Sequence, residues 1–457
     1  MTRAQRLVLI VSILASFVAF LDGSVVNVIL PALARDFGGG LALQQWVVDG
    51  YLLTLGSLIL LAGSLADGFG QRRVLTWGLI GFGASSLLCA VAPNGEILIL
   101  ARLLQGAAGA LLVPSSLAII IRAFSGAAQG RAIGIWTAWT GMAFVLGPLL
   151  GGWLVDVASW RWVFAINLVP VVITLVLIGR IHLEQTVVTT WRPDWFGAVL
   201  CTGGLAATVY ALIELPVVGW QAGWLQILLG LGIVSLGIFG WYERRVSQPI
   251  PLQLFRVRNF WVGNVATVAI YGGLTVATFL LTLYLQQVAG YSALAAGSAL
   301  LPIPVIMFGL SSRIGGLAGT YGPRWFMAGG PMVAAVGFGL LSRIQNEAVY
   351  VSDVLPGVLV FAVGLALTVS PLTTAVLADI GAARAGVGSA VNNAVSRAAG
   401  LLATAMVGLV IGSQLNQAGY ARGMLATAVA MAIGGVVSAV GILNPSPRSK
   451  SQSRAPV

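Results

Sequence analysis

In the first six apolar runs long enough to cross a bilayer, three ionisable side chains stand well inside the hydrocarbon: Asp22, Asp49 and Arg102. A charge held in hydrocarbon is costly, so each is a functional candidate by default. At ~1.5 Å per residue, Asp49 and Arg102 lie about 9 Å inside the outer ends of their helices, and Asp22 about 16 Å. Those depths bring the three within reach of one another. Burial favours a neutral carboxyl, a neighbouring guanidinium favours the carboxylate, and arginine keeps its charge throughout. A carboxylate whose cation can approach and withdraw is therefore a switchable proton site. Asp22 is assigned as the main proton acceptor, tuned by Arg102, with Asp49 as a fixed partner or an auxiliary site. A permanent Asp49–Arg102 ion pair of purely structural value is the alternative, and it leaves Asp22 unexplained.

The elements that position these residues are apolar helices. Of 457 residues, 58% are hydrophobic and only 8% charged, against roughly 45–50% and 25% for a soluble domain. Apolar runs of about 20 residues recur from end to end, as in a polytopic helical membrane protein. A transmembrane β-barrel would alternate over ~10-residue segments instead. Six spans are expected over 7–33, 43–66, 74–92, 96–124, 131–157 and 160–180. Two more are expected at 194–215 and 224–242, and a last six at 260–289, 292–312, 325–344, 354–377, 386–412 and 423–443. The domain plan is an N-terminal six-helix bundle (1–180), a linker with two additional transmembrane helices (181–258) and a C-terminal six-helix bundle (259–444). A polar tail (445–457) reads as disordered and cytoplasmic. The first apolar run is far longer than a cleavable signal core, so it reads as a retained helix.

The net charge of +11 does not point to nucleic acid, because the basic residues sit in short loops rather than on one face. They follow the positive-inside rule. Only Arg35, Arg161, Arg343 and Arg422 fall in the outer loops, which places both termini in the cytoplasm.

One charged island organises the first half: Gly63-Ser-Leu-Ala-Asp-Gly-Phe-Gly-Gln-Arg-Arg73, read as a tight turn between two helices. It returns 252 positions later as Gly315-Gly-Leu-Ala-Gly-Thr-Tyr-Gly-Pro-Arg324, the mark of a duplicated bundle. The copy has Gly319 where the first has Asp67, so the halves are related without being equivalent.

Helix 5 carries Gly147, Pro148, Gly151 and Gly152. Small residues on adjacent turns permit close helix contact, and proline loosens the helix; tight packing alone accounts for them. Asn27, Trp136, Trp139, Tyr271, Phe279, Tyr284 and Gln287 are candidates to line an apolar substrate cavity, although each taken alone fits packing or an interface anchor better. Cys89 and Cys201 have neither disulfide nor metal spacing. A single histidine, His182, leaves no histidine-based zinc site or Ser–His–Asp triad, and no Gly-x4-Gly-Lys-Ser/Thr loop marks a self-contained ATP pump. No catalytic residue and no metal site is expected.

The chain resembles the major facilitator superfamily, within it the fourteen-helix drug:proton antiporter branch. The matching stretches are Leu21-Asp-Gly-Ser-Val-Val-Asn-Val-Ile-Leu-Pro31, the hairpin Gly63–Arg73, and Arg102-Leu-Leu-Gln-Gly-Ala-Ala-Gly-Ala110. The others are Gly-Pro-x-x-Gly-Gly at 147–152, Trp160-Arg-Trp-Val-Phe-Ala-Ile-Asn-Leu-Val-Pro170 and Tyr291-Ser-Ala-Leu-Ala-Ala-Gly-Ser-Ala-Leu-Leu-Pro302. Ala143 stands where the helix 5 motif has glycine, and the loop before the last helix is short for this branch. The resemblance implies an all-α polytopic protein with the major facilitator fold: two six-helix bundles plus two extra helices between them, 14 transmembrane helices in all. It further implies a cytoplasmic gate of Gly63, Asp67, Gly70, Arg72 and Arg73, an arginine tied to proton movement (Arg102) and a membrane-embedded acid (Asp22).

The expected function is proton-coupled secondary export of lipophilic small molecules or drugs by alternating access, with no cofactor besides protons as the coupling ion. One charge crossing 100 mV supplies about 2.3 kcal/mol. The last six helices offer no mid-membrane acid, since Glu347, Asp353 and Asp379 fall in loops. Neutral, zwitterionic or monocationic amphiphiles are therefore the expected substrates. Expected partners are such a substrate and membrane lipids, with no nucleic acid, for a monomer in the bacterial cytoplasmic membrane. Transport or flipping of an endogenous lipid, amphiphile or metabolite is the alternative. A non-transporting scaffold and an intramembrane enzyme are weaker readings, the latter lacking a nucleophile with its base.

Overall fold

In the structure, a computed structural model, residues 1–180, 193–245, 252–378, 380 and 384–444 are described. His182, Asp379 and the tail 445–457 lie outside them, as does most of the polar link after the sixth span. Fourteen helices among the described residues are long and apolar enough to cross a membrane. They are α1 (Arg3–Phe37), α2 (Gly40–Phe69), α3 (Gln71–Ala90), α4 (Gly95–Ala123), α5 (Ala128–Val157), α6 (Arg161–Ile178) and α7 (Trp195–Val218). The rest are α8 (Gly223–Arg245), α9 (Arg258–Gln287), α10 (Ala293–Tyr321), α11 (Arg324–Leu341), α12 (Tyr350–Leu377), α13 (Val387–Ile411) and α14 (Gln417–Gly441).

Local chemistry sets several helix starts. Thr2 and Gln5 form a reciprocal capping box ahead of α1, with Gln5 N–H donating to Thr2 Oγ1 at 3.2 Å and Thr2 N–H to Gln5 Oε1 at 3.1 Å. Asn94 caps α4 by accepting the N–H of Ile97 at 2.9 Å. The duplicated island is mostly helix: the tight turn expected between the spans ending at 66 and starting at 74 narrows to Gly70. α2 continues to Phe69 and α10 to Tyr321, and each chain reverses at one glycine. Gly70 has φ +89° and Gly322 has φ +91°, a backbone region that other residues rarely enter. The repeat extends to contacts: Arg72 donates to Gly179 O at 3.4 Å, at the end of α6, and Arg324 to Ala439 O at 2.7 Å, near the end of α14.

α6 is interrupted. Its ladder loosens after Ala165 and resumes at Leu168, leaving Asn167 at the joint.

The chain divides into two compact units. The first comprises Met1–Pro249, Thr278–Leu301 and Leu401–Tyr420. Its main core joins Val11, Val18, Tyr51, Phe82, Leu112 and Ile119 of α1 to α4. A second cluster holds Leu53 of α2 against Leu205, Val209 and Ile213 of α7 and against Leu401 and Ala405 of α13. α7 is thus docked on α2, and α8 lies against α7 at Gly204 and Gly232. The second unit comprises Ile250–Ala277, Pro302–Gly400 and Ala421–Val457. There α11 and α12 pack through small residues (Gly330, Gly337, Gly357, Gly364) and the Phe338–Phe361 ring pair, 4.5 Å between centroids.

Candidate functional site

α4 sits close on α2 because Gly106 has no side chain; a Cβ there would run into the carbonyl of Tyr51. Thr54 Oγ1 ties the same two helices by donating to Leu103 O at 2.7 Å. That close approach brings Arg102, one turn earlier on α4, against α2, where its Nε donates to Val47 O at 3.0 Å. Its Nη1 is 2.5 Å from Asp22 Oδ2 on α1 and 2.6 Å from Gln105 Oε1. Asp22 Oδ1 accepts from Gln105 Nε2 and from Asn167 Nδ2, each at 2.9 Å. Gln105 Nε2 also reaches Ser86 Oγ at 2.8 Å. The guanidinium carbon lies 4.4 Å from the centre of the Tyr51 ring, a cation–π contact. Both charges are sealed from solvent, Arg102 at 1% exposure and Asp22 at 0%.

The alternative pairing of Arg102 with Asp49 is not found. Arg102 is committed to Asp22, and neither oxygen of the fully buried Asp49 has a hydrogen-bond partner among the described residues. Adjacent residues on a helix point about 100° apart. Gly50 faces Arg102 Cβ and Leu103, so Asp49 is turned away from the cation. Gln105, Asn167 and Ser86 went unassigned from sequence, although Gln105 and Asn167 stand inside the quoted stretches. The available signal was position: Gln105 follows Arg102 by three residues and so shares its helix face.

The glycines of α5 mark close contacts. Gly147 and Gly151 abut Ser24 and Val25 of α1. A Cβ on Gly152 would lie 2.5 Å from Leu294 Cα, and one on Gly297 2.5 Å from Pro148 O. α5 and the start of α10 are therefore in backbone contact. Asp156 completes the junction, its Oδ1 accepting from Ala293 N–H and its Oδ2 from Leu294 N–H, both at 3.0 Å. Gln45 of α2 donates to Thr404 O at 2.6 Å, and Gln286 of α9 to Val28 O at 3.0 Å.

Of the gate residues, Asp67 and Arg73 are exposed, Gly70 makes the turn, Arg72 holds the end of α6, and Gly63 lies within α2. Asp67 has the Arg122 charge within electrostatic reach. The expected cavity residues do not share one role. Phe279 and Tyr284 are completely buried, and Tyr284 stacks on Tyr420 with centroids 4.0 Å apart, so both are packing residues rather than lining. Trp136 is tied to Ser16 by Nε1 at 3.1 Å, Trp139 and Gln287 are exposed, and Asn27 and Tyr271 are half-buried. In the second unit Asn392 donates to Asn264 Oδ1 at 3.1 Å and to Thr267 Oγ1 at 2.8 Å, a polar cluster not singled out from sequence. No group of three or more His, Cys, Asp or Glu is placed to hold a metal among the described residues.

Residues 12–404 match the family model for the Major Facilitator Superfamily. The chain belongs to that superfamily. As a major facilitator protein it is a membrane transporter and not an enzyme. It is 34% identical over 411 residues to the puromycin resistance protein pur8 of Streptomyces alboniger, covering 88% of this chain and 81% of that one. It is 35% identical over 426 residues to the multidrug resistance protein Stp of Mycobacterium tuberculosis (91% and 78%). Against the methylenomycin A resistance protein of Streptomyces coelicolor it is 33% identical over 442 residues (94% and 91%). A crystal structure of a POT family transporter bound to a thioalcohol-conjugated peptide superposes with TM-score 0.72 over 95% of both chains at 12% identity, a likeness of fold alone.

Proposed function

We propose that this major facilitator protein exports lipophilic small molecules in exchange for protons, and that Asp22 is the site where the coupling proton is taken up and released. The observation that carries this reading is the buried Asp22–Arg102 pair with its Gln105 and Asn167 donors. Every described group around Asp22 donates towards it, so the arrangement is that of an ionised carboxylate. A proton arriving on Asp22 cancels the ion pair and leaves Arg102 buried without its counter-charge, a costly state that favours rearrangement. The contact of α5 with α1 and α10 is where such a rearrangement is transmitted, because close-packed backbones switch between discrete arrangements rather than deforming smoothly. Alternating access then moves substrate one way and the proton the other.

Resistance to puromycin, to methylenomycin A and to multiple drugs, in the names of its relatives, supports an exported amphiphile as the substrate. The arginine distribution supports cytoplasmic termini. The bacterial relatives support the cytoplasmic membrane as the place of action.

The test is transport of puromycin or ethidium in proteoliposomes under an imposed pH gradient. Wild type concentrates the compound, whereas Asp22→Asn binds it but no longer moves it uphill. Gradient-driven transport persisting in Asp22→Asn would remove Asp22 from the coupling step.

A further inference from the structure

The Asp22–Arg102 network leaves one intramembrane acid unaccounted for. Asp49 is completely buried, and both of its oxygens lack hydrogen-bond donors among the described residues. Its surroundings follow from helix spacing, since residues four apart on α2 share a face. One turn before it, Gln45 donates to the carbonyls of Thr404 and Ala405 on α13. One turn after it, Leu53 packs with Leu205, Val209 and Ile213 of α7 and with Leu401 and Ala405 of α13. Asp49 therefore lies where α2, the first of the two extra helices and the last part of α13 meet. The ionisable groups on the elements packed there are already engaged or displaced: Arg102 is bound to Asp22 and Gln105, and Glu214 of α7 accepts from Trp46 Nε1 at 3.3 Å. The cation of α13, Arg397, lies within electrostatic reach of Tyr271, and Asp49 has no ion pair or hydrogen-bond partner among the described residues.

A carboxylate cannot be held there without compensation, because an unpaired buried charge costs several kcal/mol and neutralises instead. We infer that Asp49 is a second proton site, walled by the extra helix α7 against α2 and α13, and that it carries its proton in the same state in which Asp22 is ionised. The inference rests on the proton-coupled reading of the Asp22 site and adds an order of events to it. Asp49 is the first of the two acids to load, Asp22 follows, and both protons travel inward in the same half-cycle. The proton on Asp49 leaves only when the α2–α7–α13 junction parts and lets water or a base reach the carboxyl. This also gives the extra helix pair a task, since α7 supplies the apolar wall that keeps the second proton from leaking.

Two measurements test this separately from coupling at Asp22. In infrared spectra of the full-length protein in liposomes, the C=O band of a protonated carboxyl should be present in wild type. It should persist in Asp22→Asn and vanish in Asp49→Asn and in the smaller Asp49→Ser. This readout needs no transport, so it stands or falls independently of the exchange mechanism. A wild-type band that survives both Asp49 substitutions would overturn the inference. In proteoliposomes with ethidium as probe, Asp49→Asn should lower the proton-to-ethidium ratio by about one proton per cycle while leaving gradient-driven movement in place. An unchanged ratio would likewise overturn it.

Discussion

Asp156 and Leu294 are joined at 3.0 Å, side-chain carboxylate to backbone N–H, while the second oxygen of Asp156 takes the N–H of Ala293 at the same distance. The first N–H groups of a helix have no partner within it, and a carboxylate there is favoured by the helix dipole as well. Asp156→Ala should weaken the α5–α10 junction by about 1–2 kcal/mol. Amide exchange at Ala293 and Leu294 should accelerate about ten-fold, with Asp156→Asn intermediate because it keeps one acceptor. Exchange rates equal to wild type would show that the contact carries no free energy.

The Asp22–Arg102 pair predicts a thermodynamic signature. Removing one member strands the other charge, at a cost of about 3–5 kcal/mol. Asp22→Asn and Arg102→Gln should each lower the melting temperature more than the double variant's loss divided between them. Strict additivity in a double-mutant cycle would mean the two side chains do not act as a pair.

Gln105 and Asn167 hold Asp22 without bearing charge themselves. Gln105→Leu should cost about 1.5–3 kcal/mol of support to the carboxylate and cut gradient-driven puromycin transport at least ten-fold. Downhill exchange of the same compound should continue, and the shorter amide in Gln105→Asn should restore part of the loss. Equal falls in uphill and downhill movement would point to a folding defect instead.

Gly70 turns the chain at φ +89°, so Gly70→Ala forces a left-handed alanine at a cost of about 1–2 kcal/mol. Turnover should fall while proton dependence remains. Gly322→Ala should be worse, because its Cβ also meets the Asn444 side chain. Wild-type turnover in both variants would deny the hairpins a part in the cycle.

Substrate charge gives a further test. The acids among the described residues of the last six helices and their loops are Glu347, just before α12, and Asp353, at its start, and Asp353 Oδ2 accepts from Val349 N–H at 2.7 Å. A second positive charge on the substrate has no buried counter-charge there. Ethidium should be exported and a bisquaternary dye of similar size should not. Comparable export of both would show that cation recognition lies elsewhere.

The number and order of the helices were legible in the sequence because hydrocarbon imposes a length and an apolar composition that each span must meet alone. The repeat was legible too, down to Gly70 and Gly322, since a backbone needing positive φ leaves a glycine behind. Asp22, Asp49 and Arg102 stood out for the same reason, as charges where none is cheap. The partner of Arg102 was legible only as two alternatives, Asp22 as the assigned one and Asp49 as the one nearer in depth, and the facing of α4 on α2 and α1 decided between them. Asn167 joins the site through a break in α6, and Asp156 reaches Leu294 from 138 residues away. Spacing within a helix is local and can be read from the chain, whereas the direction in which one helix faces another is settled by packing among many.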